Sequence, residues 1–132
     1  MKRRAALLKL SREHHSALVL TQRIAQARDA AALARLMTLL PRVFQDELEP
    51  HFCQEEEVLL PRLEQVGELA LVRQTIAEHK ELRELVAYIA AGDAASLKAF
   101  GMKLGAHVRF EERKLFPRAE AVLAAEFLDV AG

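Results

Sequence analysis

The 132-residue chain has one cysteine, one tyrosine, five glycines, four prolines and no tryptophan, and its nineteen basic residues are cancelled by nineteen acidic ones. Each shortage removes a class of protein. A lone Cys53 excludes an internal disulfide and fits a reducing cytoplasm; it reads as small buried filler, with redox sensing two positions from His51 as the sharper alternative. Zero net charge, with Lys and Arg scattered among the acids, leaves no electrostatic footprint for nucleic acid. No apolar run is long enough to span a bilayer. The N-terminal MKRRAALLKL has a basic start, but its apolar run breaks at Lys9 and charges follow at Arg12 and Glu13, unlike a signal peptide. These readings point to a cytoplasmic protein without membrane or nucleic-acid partners, acting on a small ligand, its oligomeric state open.

What is abundant is helix-forming residue: Ala, Leu, Glu, Arg and Lys dominate, β-branched residues are sparse, and Gly and Pro fall mostly at segment ends. A hydrophobic fraction of 52% is ample for one core, so residues 1–132 read as a single all-α domain. The 3–4 spacing predicts a first helix over 3–28 with Leu7, Leu10, His14, Ala17, Thr21 and Ile24 inward. A short helix near 30–39 follows. A second long helix starts at Pro41, suited to a first helical turn, with Phe44, Leu48, His51, Glu55 and Val58 on its stripe and a kink at Pro50. The third, over 67–91 between Gly67 and Gly92, presents Leu69, Val72, Ile76, His79, Leu82, Val86 and Ile89. The fourth starts near Ser96, carries Phe100, Leu104, His107, Glu111 and Leu115, and ends before Pro117. Residues 118–129 form a short extra segment. Four such helices joined by short turns close into an up-down-up-down bundle.

The second and fourth helices repeat one another. HFCQEEEVLLPRLE at 51–64 and HVRFEERKLFPRAE at 107–120 agree at seven of fourteen positions, including His, the Glu four residues later, and Pro. Residues i and i+4 share a helix face, so each His and Glu can grip one ion together. Two inward glutamates without partners are expensive, and metal ions with imidazoles would compensate them. His14, His51, His79 and His107 with Glu55 and Glu111 divide into two His and one carboxylate per ion, the set typical of non-haem iron. With both carboxylates bridging, eight of roughly twelve positions on two six-coordinate ions are filled. In the first helix His14 and His15 are adjacent and face different ways; the Leu7–Leu10–His14–Ala17 spacing favours His14, while Leu18 three after His15, as Leu82 follows His79, keeps His15 open. Glu56 and Glu112, one past each glutamate, are either partners of an imidazole's second nitrogen or solvated flank. Tyr88 reads as packing, the Phe at 44, 52, 100, 110 and 116 as core, and Glu57, Arg113 and Lys114 as a solvated face.

These residues resemble the hemerythrin-like, HHE cation-binding family over about residues 7–118. The resemblance rests on Leu10-Ser-Arg-Glu-His14, His51-x-x-x-Glu55-Glu56 running to Leu60-Pro61, Glu78-His79-x-x-Leu82, and His107-x-x-x-Glu111-Glu112 running to Phe116-Pro117. It implies a four-helix bundle around an oxo- or hydroxo-bridged pair of iron ions that handles dioxygen, nitric oxide or peroxide, with His14 or His15, His51, Glu55, His79, His107 and Glu111 as ligands. The chain departs from respiratory hemerythrins at Arg83, where they have a further His, and at Glu111, where they have an Asp one residue later. Fewer imidazoles favour oxidation chemistry, sensing or iron handling over reversible oxygen carriage. Imidazole and carboxylate without thiolate suit iron, then manganese; zinc prefers tetrahedral sites and would leave ligands idle. A binding protein acting as sensor, scavenger or iron handler is therefore expected ahead of a diiron oxidase or a stress-response repair enzyme, and both ahead of ions that only staple the fold. A sensor of this kind would signal through a partner.

Overall fold

The computed structural model describes residues 3–130 and contains four long helices. Helix α1 is Ala5–Gln26. Helix α2 runs without interruption over residues 30–65, and α3 is Leu69–Ala90. Helix α4 spans residues 94–122, and a last turn, α5, is Ala125–Leu128. Three-residue turns join the long helices, two of them built on Gly67 and Gly92 at φ 86° and 99°, where side chains with a Cβ are strained. Cross-links pair position against position in reverse order: Lys9 with Gln54 and Glu13 with His51, Glu49 with Arg83 and Glu56 with His79, Ser11 with Glu112 and Lys98 with Ile24. Each helix is thus antiparallel to its neighbours, and α4 returns to α1 to close an up-down-up-down bundle. No helix among the described residues is long and apolar enough to cross a membrane.

The expected break before Pro41 is absent. Asp29 caps α2 by accepting from Ala32 N at 2.7 Å, and the helix continues through Pro41 into the ligand-bearing stretch. An interior proline costs about 3 kcal/mol, but Leu36, Leu40 and Phe44 form one buried stripe across it, worth about 1.5–3 kcal/mol per side chain. Burial wins. Likewise α4 does not stop before Pro117 but extends to Val122.

Local widening explains how the other prolines are tolerated. Three π-helical turns, Phe44–Leu48, Glu55–Leu59 and Glu111–Leu115, close with bonds from Glu49 N to Phe44 O, Leu60 N to Glu55 O and Phe116 N to Glu111 O. Pro50, Pro61 and Pro117 each lie two residues beyond one of them. A proline ring would collide with the carbonyl four residues back, here Asp46, Glu57 or Arg113, and each of those sits mid-turn where the π bulge displaces it. The extra residue also shifts the stripe: Val58 is exposed and Leu59 is buried.

The interior is layered. One apolar cluster gathers Leu20, Ile24, Leu40, Phe44, Leu82, Leu97, Phe100 and Leu104. A second gathers Leu7, Leu10, Leu59, Leu60, Leu63, Val72 and Phe116. Between them each of the four long helices crosses a single polar layer. Smaller departures follow from local chemistry: Leu20 rather than Thr21 is the buried member of its turn, and Thr75 displaces Ile76 because its hydroxyl donates to Leu71 O at 2.8 Å and so can be buried without loss. Leu69, in the first turn of α3, is exposed and Val86 only half-buried.

Candidate metal centre

The polar layer consists of His14 from α1, His51 and Glu55 from α2, His79 from α3, and His107 and Glu111 from α4, all buried, with both glutamates fully inaccessible. His15 is exposed and takes no part. Leu7, Leu10 and Ala17 set the inward face of α1, and only His14 lies on it.

Donor atoms converge. His51 Nε2 lies 3.2 Å from Glu55 Oε2, His79 Nε2 3.0 Å from Glu55 Oε1, and His107 Nε2 3.1 Å from Glu111 Oε2. His14 Nε2 is 2.8 Å from Glu111 Oε1. The atoms form two overlapping groups, His14, His51, Glu55 and Glu111 in one and Glu55, His79, His107 and Glu111 in the other, each within 4.8 Å. Both carboxylates belong to both groups, and each group has two imidazoles.

Within the layer His14 Nε2 and Glu111 Oε1 meet as a hydrogen bond at 2.8 Å, but most of the other inner atoms have none. His51 Nε2, His79 Nε2, His107 Nε2, both Glu55 oxygens and Glu111 Oε2 are buried without a hydrogen-bond partner. An orphaned buried polar group costs about 1–3 kcal/mol, and here all of them point at one another, which is the arrangement cations relieve. The donors therefore fit the metal pair that their number and type suggest.

Charge balance tells the same story. Burial alone lowers the His51 and His107 imidazoles, but the Glu111 and Glu55 carboxylates outweigh it and raise them to about 11 and about 10. His14 and His79 move upward for the same opposed reasons. Burial and the Glu111 charge push Glu55 up, whereas Glu111, which burial also pushes up, is held down by His107, His14 and His51. Without ions, protons on imidazoles do the neutralising.

The outer nitrogens are organised too. His51 Nδ1 meets Glu13 at 2.8 Å, and His79 Nδ1 meets Glu56, His107 Nδ1 meets Glu78 and His14 Nδ1 meets Glu112, each at 2.6 Å. α1 serves α2, α2 serves α3, α3 serves α4 and α4 serves α1, a closed ring. Such a partner fixes the tautomer, leaving Nε2 free for an ion. Glu56 and Glu112 thus act on imidazoles rather than forming solvated flank. The roles of Glu13 and Glu78 were missed in the sequence, although each directly precedes its own helix's histidine.

Two imidazoles have a further backing. Arg83 Nη1 donates to Glu56 at 2.8 Å and lies over Phe52, which stacks on His79 with centroids 4.0 Å apart. Arg3 Nη2 donates to Glu112 at 3.1 Å and lies over Phe116, which stacks on His14 at 5.4 Å. Arg83 thus braces the carboxylate that holds the His79 imidazole. Arg83 also binds Glu49, which accepts from the Cys53 thiol at 3.4 Å. Cys53 is only partly buried, so it is not core filler, and its bond to Glu49 raises its pKa, away from the reactive thiolate. Tyr88 is exposed and packs on nothing in the site, while all five assigned phenylalanines are buried and Glu57, Arg113 and Lys114 are exposed.

A model of the hemerythrin HHE cation binding domain matches residues 6–119. The chain belongs to the hemerythrin HHE cation-binding family. Curated proteins and solved structures give no match. The six donors that meet in the central layer are the candidate site for the cation in the family's name.

Proposed function

We propose that the cluster holds two iron ions and that the protein takes up dioxygen, nitric oxide or peroxide there, as a sensor, scavenger or iron-handling protein. The observation that carries this reading is the division of the donors into two groups that share both Glu55 and Glu111 while each keeps two histidines of its own. Imidazole and carboxylate, without thiolate, suit iron. Held by His14, His51, His79, His107, Glu55 and Glu111, ferrous iron would supply electrons to a small oxidant. The residues of the chain do the rest. The four outer carboxylates hold Nδ1 protonated so that Nε2 is the donor. Phe52 and Phe116 wall the imidazoles of His79 and His14, and the two apolar layers flank the cluster. His15 is not proposed as a ligand.

The test is metal content with optical spectroscopy. Protein loaded with ferrous iron under anaerobic conditions should hold two irons per chain and develop near-ultraviolet absorption when oxygen is admitted. Absorption that disappears on removing oxygen supports a sensor or scavenger; irreversible change moves the reading to an oxidase or a repair enzyme, which the cavity described next would serve. Failure to retain iron, with zinc or manganese retained instead, overturns the iron assignment.

A further inference from the structure

A cavity of about 200 Å3 lies between α1, α2 and α4 and reaches His14, His51 and His107 from one side. Glu55, His79 and Glu111 do not line it, so it abuts the cluster and is not the space inside it. A water needs roughly 10–15 Å3 on this measure, so the cavity far exceeds what a diatomic gas requires. It is also smaller than the roughly 300–1,000 Å3 of pockets for drug-sized ligands. Size alone points to an organic molecule of few heavy atoms.

The lining narrows the chemistry. Ala17, Leu20, Leu48, Phe52, Leu104 and Val108 give apolar walls, Glu13, Asp46 and Glu47 stand at the opening, and no Lys or Arg contributes. Asp46 and Glu47 are exposed and make no ion pair among the described residues. Glu13 is held by His51 Nδ1 at 2.8 Å, so Asp46 and Glu47 are the two carboxylates left to give this opening a local negative charge that favours cations over anions. His14, His51 and His107 also line it, while the Nε2 atoms of His51 and His107 lie on the cluster side, 3.2 Å from Glu55 and 3.1 Å from Glu111. The wall is a built feature: residues 43–52 supply much of it, and they contain the π turn Phe44–Leu48 and Pro50.

We propose that this cavity binds a small primary amine, its apolar body against Leu104 and Val108 beside the cluster and its ammonium at Asp46 and Glu47. The purpose of such binding, bringing C–H bonds next to the ions, rests on the diiron reading above; the binding itself does not. Metal-free and iron-loaded protein should be titrated with pentylamine, pentan-1-ol and pentanoate at low salt, following heat and the methyl signals of Leu104 and Val108. In both forms pentylamine should bind about tenfold more tightly than the alcohol, and pentanoate more weakly still, with shifts confined to the cavity. Exposed Asp46→Lys with Glu47→Lys should reverse the order of amine and pentanoate without unfolding the bundle, and Ala17→Phe should abolish all three. Equal binding of the three probes, or no methyl shift at all, overturns the proposal whether or not iron is bound. Amine binding in protein that fails to hold two irons would leave the pocket standing and sink the diiron reading instead.

Discussion

The stretch of α2 around His51 and Glu55 and the stretch of α4 around His107 and Glu111 match in sequence, in burial and in the π turn that begins at each glutamate. They differ one turn earlier. Pro50 in α2 corresponds to Ala106 in α4 in the repeat, and only α2 has a second π turn, Phe44–Leu48, ahead of its histidine. Phe44 and Leu48 still match Phe100 and Leu104 as buried core. Each of the three bulges precedes a proline by two residues, and the extra one in α2 goes with Pro50, which lines the cavity. The repeat separates what holds a cation from what shapes the approach to it.

The strongest challenge to the equivalence of the two arms is to remove either shared carboxylate. Glu55→Ala and Glu111→Ala should each reduce bound iron to background by elemental analysis, because each residue serves both donor groups; retention of one full ion in either variant would break the symmetry. Next, placing the proline in the other arm, Ala106→Pro, should cost about 3 kcal/mol in urea unfolding, since α4 is regular there and cannot move the Met102 carbonyl aside. A smaller cost would mean that the π turn forms wherever proline requires it. Glu13→Gln and Glu78→Gln, which remove the outer partners of His51 and His107, should each weaken metal affinity by about 10–100-fold. Unequal losses would show that the arms are unequally braced.

The mildest test uses pH on metal-free protein. His51 and His107 have folded values of about 11 and about 10 against an unfolded value near 6.5. Their stabilisation is therefore complete below about pH 6.5 and is lost as pH rises through 10 to 11. The urea midpoint should fall across that window, and His51→Gln and His107→Gln should each flatten the fall by a similar amount.

Much of this was legible in the sequence, and the exceptions have physical causes. The all-α bundle and the six inward donors followed from 3–4 spacing, because side chains that share a helix face also share a layer. His14 was favoured over His15 by the same rule. Register beyond the glutamates was not legible: Val58 was expected inward and Leu59 took its place, since a π turn adds a residue that periodicity cannot announce. Pro41 misled for the opposite reason, as burial of Leu36, Leu40 and Phe44 outweighed a local rule. Glu13 and Glu78 were hidden because each acts on the next helix's histidine rather than its own neighbour, a relation that exists only after the helices pack.

That ring of carboxylates has a consequence for the order of events as the chain is made. Three of its links join consecutive helices, but the fourth, Glu112 to His14, joins the last long helix to the first. Glu111, common to both donor groups, arrives with it. A nascent chain can therefore assemble three helices and still offer a cation no finished site; the donor set is complete only when the last long helix has closed on the first, so that a loaded ion certifies a closed bundle.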